Sequence, residues 1–226
     1  MVDLQEQHET VVVVAGGPAS QPPTLEIPTG APVVAADSGV DRALALGLHV
    51  EIAVGDFDSV TAGGLETARA AGARIERHPA EKDATDLELA LDAAVALGPR
   101  RILVLGSDCG RLDHLLSSLL LLGSARFADC ELDAALGSAV VHVVRAERRL
   151  VGEVGELISL LALHGPAEGV TTEGLRFPLR GERLEPGSSR GVSNVFALSE
   201  ARIKLERGVL LAVRPGDQTD DERSTS

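Results

Sequence analysis

The sequence contains no tryptophan and no tyrosine, and only four phenylalanines, two cysteines and one methionine in 226 residues. It has two lysines, Lys82 and Lys204, and its formal net charge is −13. No basic stripe is visible, which argues against nucleic acid as a partner. An acidic protein that handles an anionic substrate therefore needs a metal ion or a few well-placed cationic side chains. Cys109 and Cys130 have neither metal-binding nor redox spacing, as expected of reduced thiols in a cytoplasmic protein. The longest apolar stretch, near 115–122, is interrupted by Ser117 and Ser118 and is far too short to span a membrane. The first residues, MVDLQEQHET, lack the basic and apolar regions of a secretory signal.

Apolar residues make up 44% of the chain and charged residues 24%, an ordinary globular balance. The first two-thirds alternates short apolar strands (11–15, 32–36, 51–54, 74–78, 101–105) with helical segments (40–48, 61–71, 86–97, 113–124). Continuous apolar strands separated by helices predict a parallel sheet covered on both faces. From about Cys130 the pattern changes. Turn signals recur every eight to twelve residues, Gly165-Pro166 and Pro186-Gly187 among them, and no long helix is evident. That spacing predicts a small antiparallel sandwich or barrel. The expected layout is a Rossmann-like α/β domain over 1–150, an all-β sandwich over 151–216 and a disordered tail over 217–226.

The unusual residues sit where the predicted parallel strands end. Asp37-Ser38-Gly39 follows one strand, and Gly55-Asp56-Phe57-Asp58-Ser59 the next. Lys82-Asp83-Ala84-Thr85-Asp86 follows the fourth, and Gly106, then Gly110-Arg111-Leu112-Asp113-His114, the fifth. In a parallel sheet these ends share the edge where ligands bind. Some of these residues have purely structural readings. Thr85 and Glu88 form a capping box, Asp86 suits a helix first turn, and His114 reads as a helix-start residue. Arg111 is either a phosphate clamp or the salt-bridge partner of Asp108 or Asp113. Ser193-Asn194 reads as turn chemistry, and Phe177 and Phe196 as sandwich core. Asp56 and Asp58 are harder to explain structurally, because two carboxylates on one tight turn repel unless a cation lies between them. Oxygen ligands of this kind suit Mg²⁺ shared with phosphates. The inventory fits a Mg²⁺–nucleotide site, although no Walker A loop or protein-kinase signature is present.

Taken in order, these motifs, together with TTEGLRFPL (171–179) and GVSN (191–194), resemble those of thiamine pyrophosphokinases over about 11–214. The resemblance implies transfer of pyrophosphate from ATP to the hydroxyl of thiamine, with Mg²⁺, giving thiamine diphosphate and AMP. It also implies a homodimer with active sites at the subunit interface, the second domain serving substrate binding and dimerisation. Carried over by position, Asp56, Asp58 and Asp86 would hold the metal. Asp37, Gly55, Lys82, Thr85, Gly106, Gly110, Arg111 and Asp113 would bind ATP, and Ser193 and Asn194 would lie near thiamine. Asp58, Asp83, Asp86 and Arg111 would be catalytic, with Asp83 or Asp86 accepting the hydroxyl proton.

Two positions depart from the family pattern. Ser107 stands where a second glycine is common, and 208–213 lacks the tryptophan that some members stack on thiamine. The second departure keeps open a pyrophosphokinase for another alcohol, such as a hydroxymethylpterin. A non-catalytic thiamine or nucleotide sensor is a further alternative. The Asp-x-Asp stretch also resembles the nucleophile motif of haloacid-dehalogenase-type phosphatases, but that reading leaves the other motifs unexplained.

Overall fold

The structure, a computed structural model, describes residues 8–17, 25–107 and 111–216. Contacts divide the chain into two units, one of 1–121 with 129–137 and one of 122–128 with 138–226.

The first unit is built on parallel strands: β1 (Thr10–Val14), β2 (Val33–Ala36), β3 (Ile52–Gly55), β4 (Arg74–Arg77), β5 (Arg101–Gly106) and β6 (Glu131–Leu136). Their order is β4-β3-β2-β1-β5-β6, with every pairing parallel. The helices are α1 (Gly39–Ala45), α2 (Ala62–Ala70), α3 (Asp86–Ala96) and α4 (Leu112–Leu122). β1 is a run of valines after Thr10, buried throughout, as a central parallel strand must be. Val12, Val14, Val33, Ala35, Leu103 and Leu105 share one core cluster with Val40, Ala43 and Ala68 from the helices. Strand order reverses between β1 and β5, so the crevice at their carboxyl ends is the place where such a sheet takes a ligand. The loops after these two strands approach each other there: a Cβ on Gly17 would lie 3.2 Å from the Ser107 Cβ. The parallel sheet expected from the sequence is present.

The second unit is antiparallel. Its strands are β7 (Ala139–Val144), β8 (Glu147–Val151), β9 (Leu157–Glu173), β10 (Arg180–Leu184), β11 (Asn194–Val195), β12 (Glu200–Lys204) and β13 (Arg207–Arg214). β13 pairs with β7 and β9, β12 pairs with β8 and β9, and β10 and β11 also pair with β9. Ile158, Leu160, Leu179, Leu184, Phe196, Ile203 and Leu210 fill the core of this unit.

Two expectations differ from what is observed. The units part between Gly137 and Ser138 rather than at 150, because β7 and β8 pair with β13 and β12. Gly165-Pro166 does not separate two strands. It lies within the 17-residue β9, where His164 (φ 58°) and Gly165 (φ 142°) coincide with a register shift against β13. The expected tail, 217–226, lies outside the described residues.

Candidate active site

The site begins where β3 stops. Gly55 has φ 150°, and a Cβ there would lie 3.2 Å from Asp86 Oδ1 and 3.3 Å from Asp37 Cα. Glycine is needed at this point because two acidic loops close onto its backbone. Asp56 follows half-buried, Phe57 turns the chain with φ 63°, and Asp58 emerges exposed. The Asp58 N–H donates to Asp56 Oδ1 at 3.3 Å, and the Ser59 hydroxyl donates to Asp58 Oδ1 at 2.7 Å.

Asp37, at the end of β2, completes the cluster. One carboxylate oxygen from each of Asp37, Asp56 and Asp58 lies within 4.8 Å of the others. Asp37 Oδ1 is buried without a hydrogen-bond partner, an arrangement that costs ~1–3 kcal/mol when left unmet. Three hard oxygen donors, one of them orphaned, fit a Mg²⁺-sized cation. The family resemblance puts Asp86 in the metal set and Asp37 with ATP, whereas the geometry groups Asp37 with Asp56 and Asp58.

Desolvation raises the pKa of Asp37 above its ordinary 3.8; the Ser38 backbone N–H opposes this, and Asp86, Asp58 and Asp56 push it further up. The folded state therefore holds this proton more tightly than the unfolded chain does. The resulting stability is fully present below the ordinary pKa and is lost as pH rises through the raised one. At neutral pH the ionised carboxylate is a net cost to the metal-free protein. Asp37→Asn is accordingly expected to raise the melting temperature at about pH 7. In thermal melts without metal, the gap between variant and parent should widen as pH rises from about 4. Turnover should fall in the same variant.

Lys82 supplies the local countercharge. Its Nζ lies 3.0 Å from Asp86 Oδ1 and 3.9 Å from Asp56 Oδ2, with only 15% of the side chain exposed. The contact with Asp86 is an ion pair whose angle falls short of a hydrogen bond. Thr85 is the N-cap of α3, its Oγ1 accepting the Glu88 N–H at 3.2 Å, so its capping role is seen directly. Asp83 stands exposed in the bend before α3.

Gly106 ends β5, where a Cβ would lie 2.6 Å from Leu136 Cδ2. Gly110, Asp108 and Cys109 lie outside the described residues. Arg111 donates Nε and Nη2 to Asp113 Oδ1 and Oδ2 at 3.2 and 2.6 Å. This fork holds the Asp113 carboxyl down to about 2, its own desolvation opposing. The salt-bridge reading of Arg111 is therefore realised with Asp113, although both side chains remain exposed. His114 is exposed in the first turn of α4.

In the second unit, Ser193 is exposed with φ 55°, and its N–H donates to Ser159 Oγ at 3.1 Å. Asn194 is buried. Its Oδ1 accepts the N–H groups of Phe177 and Val195 at 3.0 and 2.8 Å, and its Nδ2 donates to the Phe177 carbonyl at 2.8 Å. The amide is thus committed to holding Phe177 in place. Phe196 is core, as expected, but Phe177 is 56% exposed. The motif that carries it projects the ring outward and buries its neighbour Leu179 instead.

Sequence reasoning missed Arg77. Its Nη1 donates to the Asp56 carbonyl at 2.6 Å, and its guanidinium lies 5.0 Å from the Phe57 ring centroid. An arginine closing a short exposed strand carried no signal of this.

These features define an α/β protein with an acidic sheet edge and a second, antiparallel unit. The chain belongs to the thiamin pyrophosphokinase family, whose members are transferases: the family's catalytic-domain model matches residues 29–133 and its vitamin B1 binding domain model residues 141–210. Thiamine pyrophosphokinase of Bacillus subtilis strain 168 is 28% identical over 218 residues, covering 92% of this chain and all of that protein. The crystal structure of the B. subtilis thiamine pyrophosphokinase superposes with TM-score 0.81 at 27% identity, covering 92% of this chain and 99% of that one. A thiamin pyrophosphokinase family protein from Enterococcus faecalis superposes with TM-score 0.80, also at 27% identity, with the same coverage of both chains.

Proposed function

We infer that this chain transfers pyrophosphate from ATP to the hydroxyl of thiamine, giving thiamine diphosphate and AMP. The observation that carries this reading is the pairing of an acidic sheet edge with a second unit matched by the family's vitamin B1 binding domain. The same match favours thiamine over a pterin alcohol as acceptor. The first unit is the nucleotide-binding domain in this reading, and the second is a substrate-binding sandwich.

Asp37, Asp56 and Asp58 would hold Mg²⁺, with Asp86 beside them, and the ion would neutralise charge on the triphosphate. Lys82, already between Asp56 and Asp86, would meet phosphate oxygens as a point charge. Arg111 would exchange Asp113 for phosphate, an accessible change because both are exposed. The thiamine oxygen bonds to the β-phosphorus, the bond from that phosphorus to the α–β bridging oxygen breaks, and AMP leaves. The hydroxyl proton passes to a carboxylate oxygen of Asp83, since Asp86 is engaged by Lys82.

The stretch without an aromatic is not a vacant platform, because Val209–Ala212 is buried core. Phe177 offers the exposed ring instead, and Arg176 already lies 5.8 Å from its centroid. A thiazolium would take over that cation–π contact, with Asn194 setting the position of the ring and Ser193 beside it. A homodimer is supported by the α4 stripe of Leu112, Leu116 and Leu120, all about half or more exposed and spaced to share one face. A cytoplasmic location belongs to the same reading. Among the described residues no helix is long and apolar enough to cross a membrane.

The test is product analysis with ATP, Mg²⁺ and thiamine. AMP formed one-for-one with thiamine diphosphate is expected; ADP or free phosphate would overturn the mechanism. In the same assay Phe177→Ala should raise the thiamine KM by about tenfold, the order of one lost cation–π contact, and leave the ATP KM unchanged.

A further inference from the structure

Three carboxylates within 4.8 Å must be held against their mutual repulsion. The turn that carries two of them is unfavourable on its own terms, because Phe57 sits at φ 63°, where a bulky side chain is disfavoured. Something outside the turn has to maintain it. We propose that Arg77 is the positioning residue for the Asp56-Phe57-Asp58 turn, setting the geometry of the cation site without touching the cation or the substrate.

The argument is geometric. Arg77 is the last residue of β4, in register with Gly55 at the end of β3. The next residue ties the same point, the His78 N–H donating to the Gly55 carbonyl at 2.9 Å. From this anchored backbone the guanidinium reaches across the turn. It donates to the carbonyl of Asp56 and lies against the ring of Phe57. Phe57 is itself 8% exposed and part of the core cluster that includes Val12 and Val14. One planar side chain therefore grips both residues that lie between Gly55 and Asp58. Lysine would supply the hydrogen bond but no flat face for the ring.

The sign of the effect separates this role from a simple electrostatic one. A guanidinium bonded to the Asp56 carbonyl brings a positive charge to the turn that repels an incoming cation, so removing it as a charge alone would tighten cation binding. Removing it as a brace loosens the ligands and weakens binding. The inference rests on the metal-site reading above, and the experiment tests the two separately.

Mn²⁺ binding to the full chain without ATP would be measured by electron paramagnetic resonance, with a thermal melt of each variant. The parent should bind, and Asp58→Asn should lose most of that binding. Arg77→Gln should weaken binding by about tenfold, the low end for groups that orient metal ligands, and Arg77→Lys should fall between the two. Phe57→Leu, which keeps an apolar side chain in the core but removes the ring face, should weaken binding too. Adding Arg77→Gln to it should then cost less than Arg77→Gln alone, because the two act through one contact. Equal or tighter Mn²⁺ binding by Arg77→Gln, with the parent binding and Asp58→Asn defective, would overturn the role of Arg77 alone. A parent that does not bind Mn²⁺ would overturn the metal site and this inference together. Should Arg77→Gln fail to fold, the Phe57→Leu and Arg77→Lys measurements decide.

Discussion

Asp58→Asn is expected to lower turnover at saturating ATP and thiamine by at least ~10²-fold, the scale seen when a preorganised charge-stabilising group is removed, while the protein melts at or above the parent temperature. The two halves of that expectation have different causes. Asp58 is exposed and accepts the Ser59 hydroxyl, a bond that the carbonyl of an asparagine can keep. Its charge is crowded by Asp37 and Asp56, so neutralising it relieves repulsion in the metal-free fold. The same charge is what a cation needs, and an amide oxygen is a weaker donor to Mg²⁺ than a carboxylate. AMP release followed by chromatography, with a melt of the same sample, reads both halves. Full activity in the variant would remove Asp58 from the cation site, and a large drop in melting temperature would make its role structural.

The parallel half of the fold was legible because its strands are short, continuous and β-branched, as at Val11–Val14, and the residues ending them are ones that strands disfavour. Convergence of those endings on one edge follows from parallel topology alone, so the sequence already brings these acids together. The membership of the acidic cluster was less legible. Asp37 directly follows a strand and Asp86 opens a helix, and neither position says which carboxylate joins Asp56 and Asp58. Only the backbone at Gly55 shows that both press on the same point, and only Lys82 shows which of them is already paired. Arg77 was invisible because its partner is a backbone carbonyl, which has no sequence signature.

The second half was harder to read for a related reason. Glycine and proline read as turn punctuation, but a glycine inside a strand can equally mark a bulge, as Gly165 does in β9. Asn194 reads as an ordinary polar turn residue and a possible substrate contact. Its burial and three hydrogen bonds make it internal scaffolding, and they turn Phe177 outward, the reverse of the core position expected for a phenylalanine in a β unit.

Gly39→Ala is expected to be among the most damaging single-methyl changes in the first unit, whereas Gly63→Ala, the same substitution in a neighbouring helix, should be neutral or stabilising. Gly39 opens α1 directly behind the end of β1. A Cβ there would overlap the Val14 carbonyl and lie 3.1 Å from the Ala15 carbonyl carbon. Backbone cannot rotate away as a side chain can, so α1 must back off from the sheet. Overpacking of this kind costs about 1–3 kcal/mol or more, out of a total of ~5–15 kcal/mol for a typical domain. For a chain of this size that lowers the melting temperature by roughly 2–4 °C per kcal/mol. At Gly63 nothing lies within 4 Å of the added Cβ, and the position is an exposed turn of α2, so the helix gains up to about 1 kcal/mol in propensity. The functional consequence separates the two as well. Asp37 stands two residues before Gly39, at the hinge between β2 and α1, and a helix pushed off the sheet carries that carboxylate away from Asp56 and Asp58. Gly39→Ala should therefore lose turnover even at temperatures where it remains folded, and Gly63→Ala should retain it. Melts and AMP assays on the two variants side by side check both signs. Parent-like activity in a folded Gly39→Ala protein would show that the cluster tolerates displacement of α1.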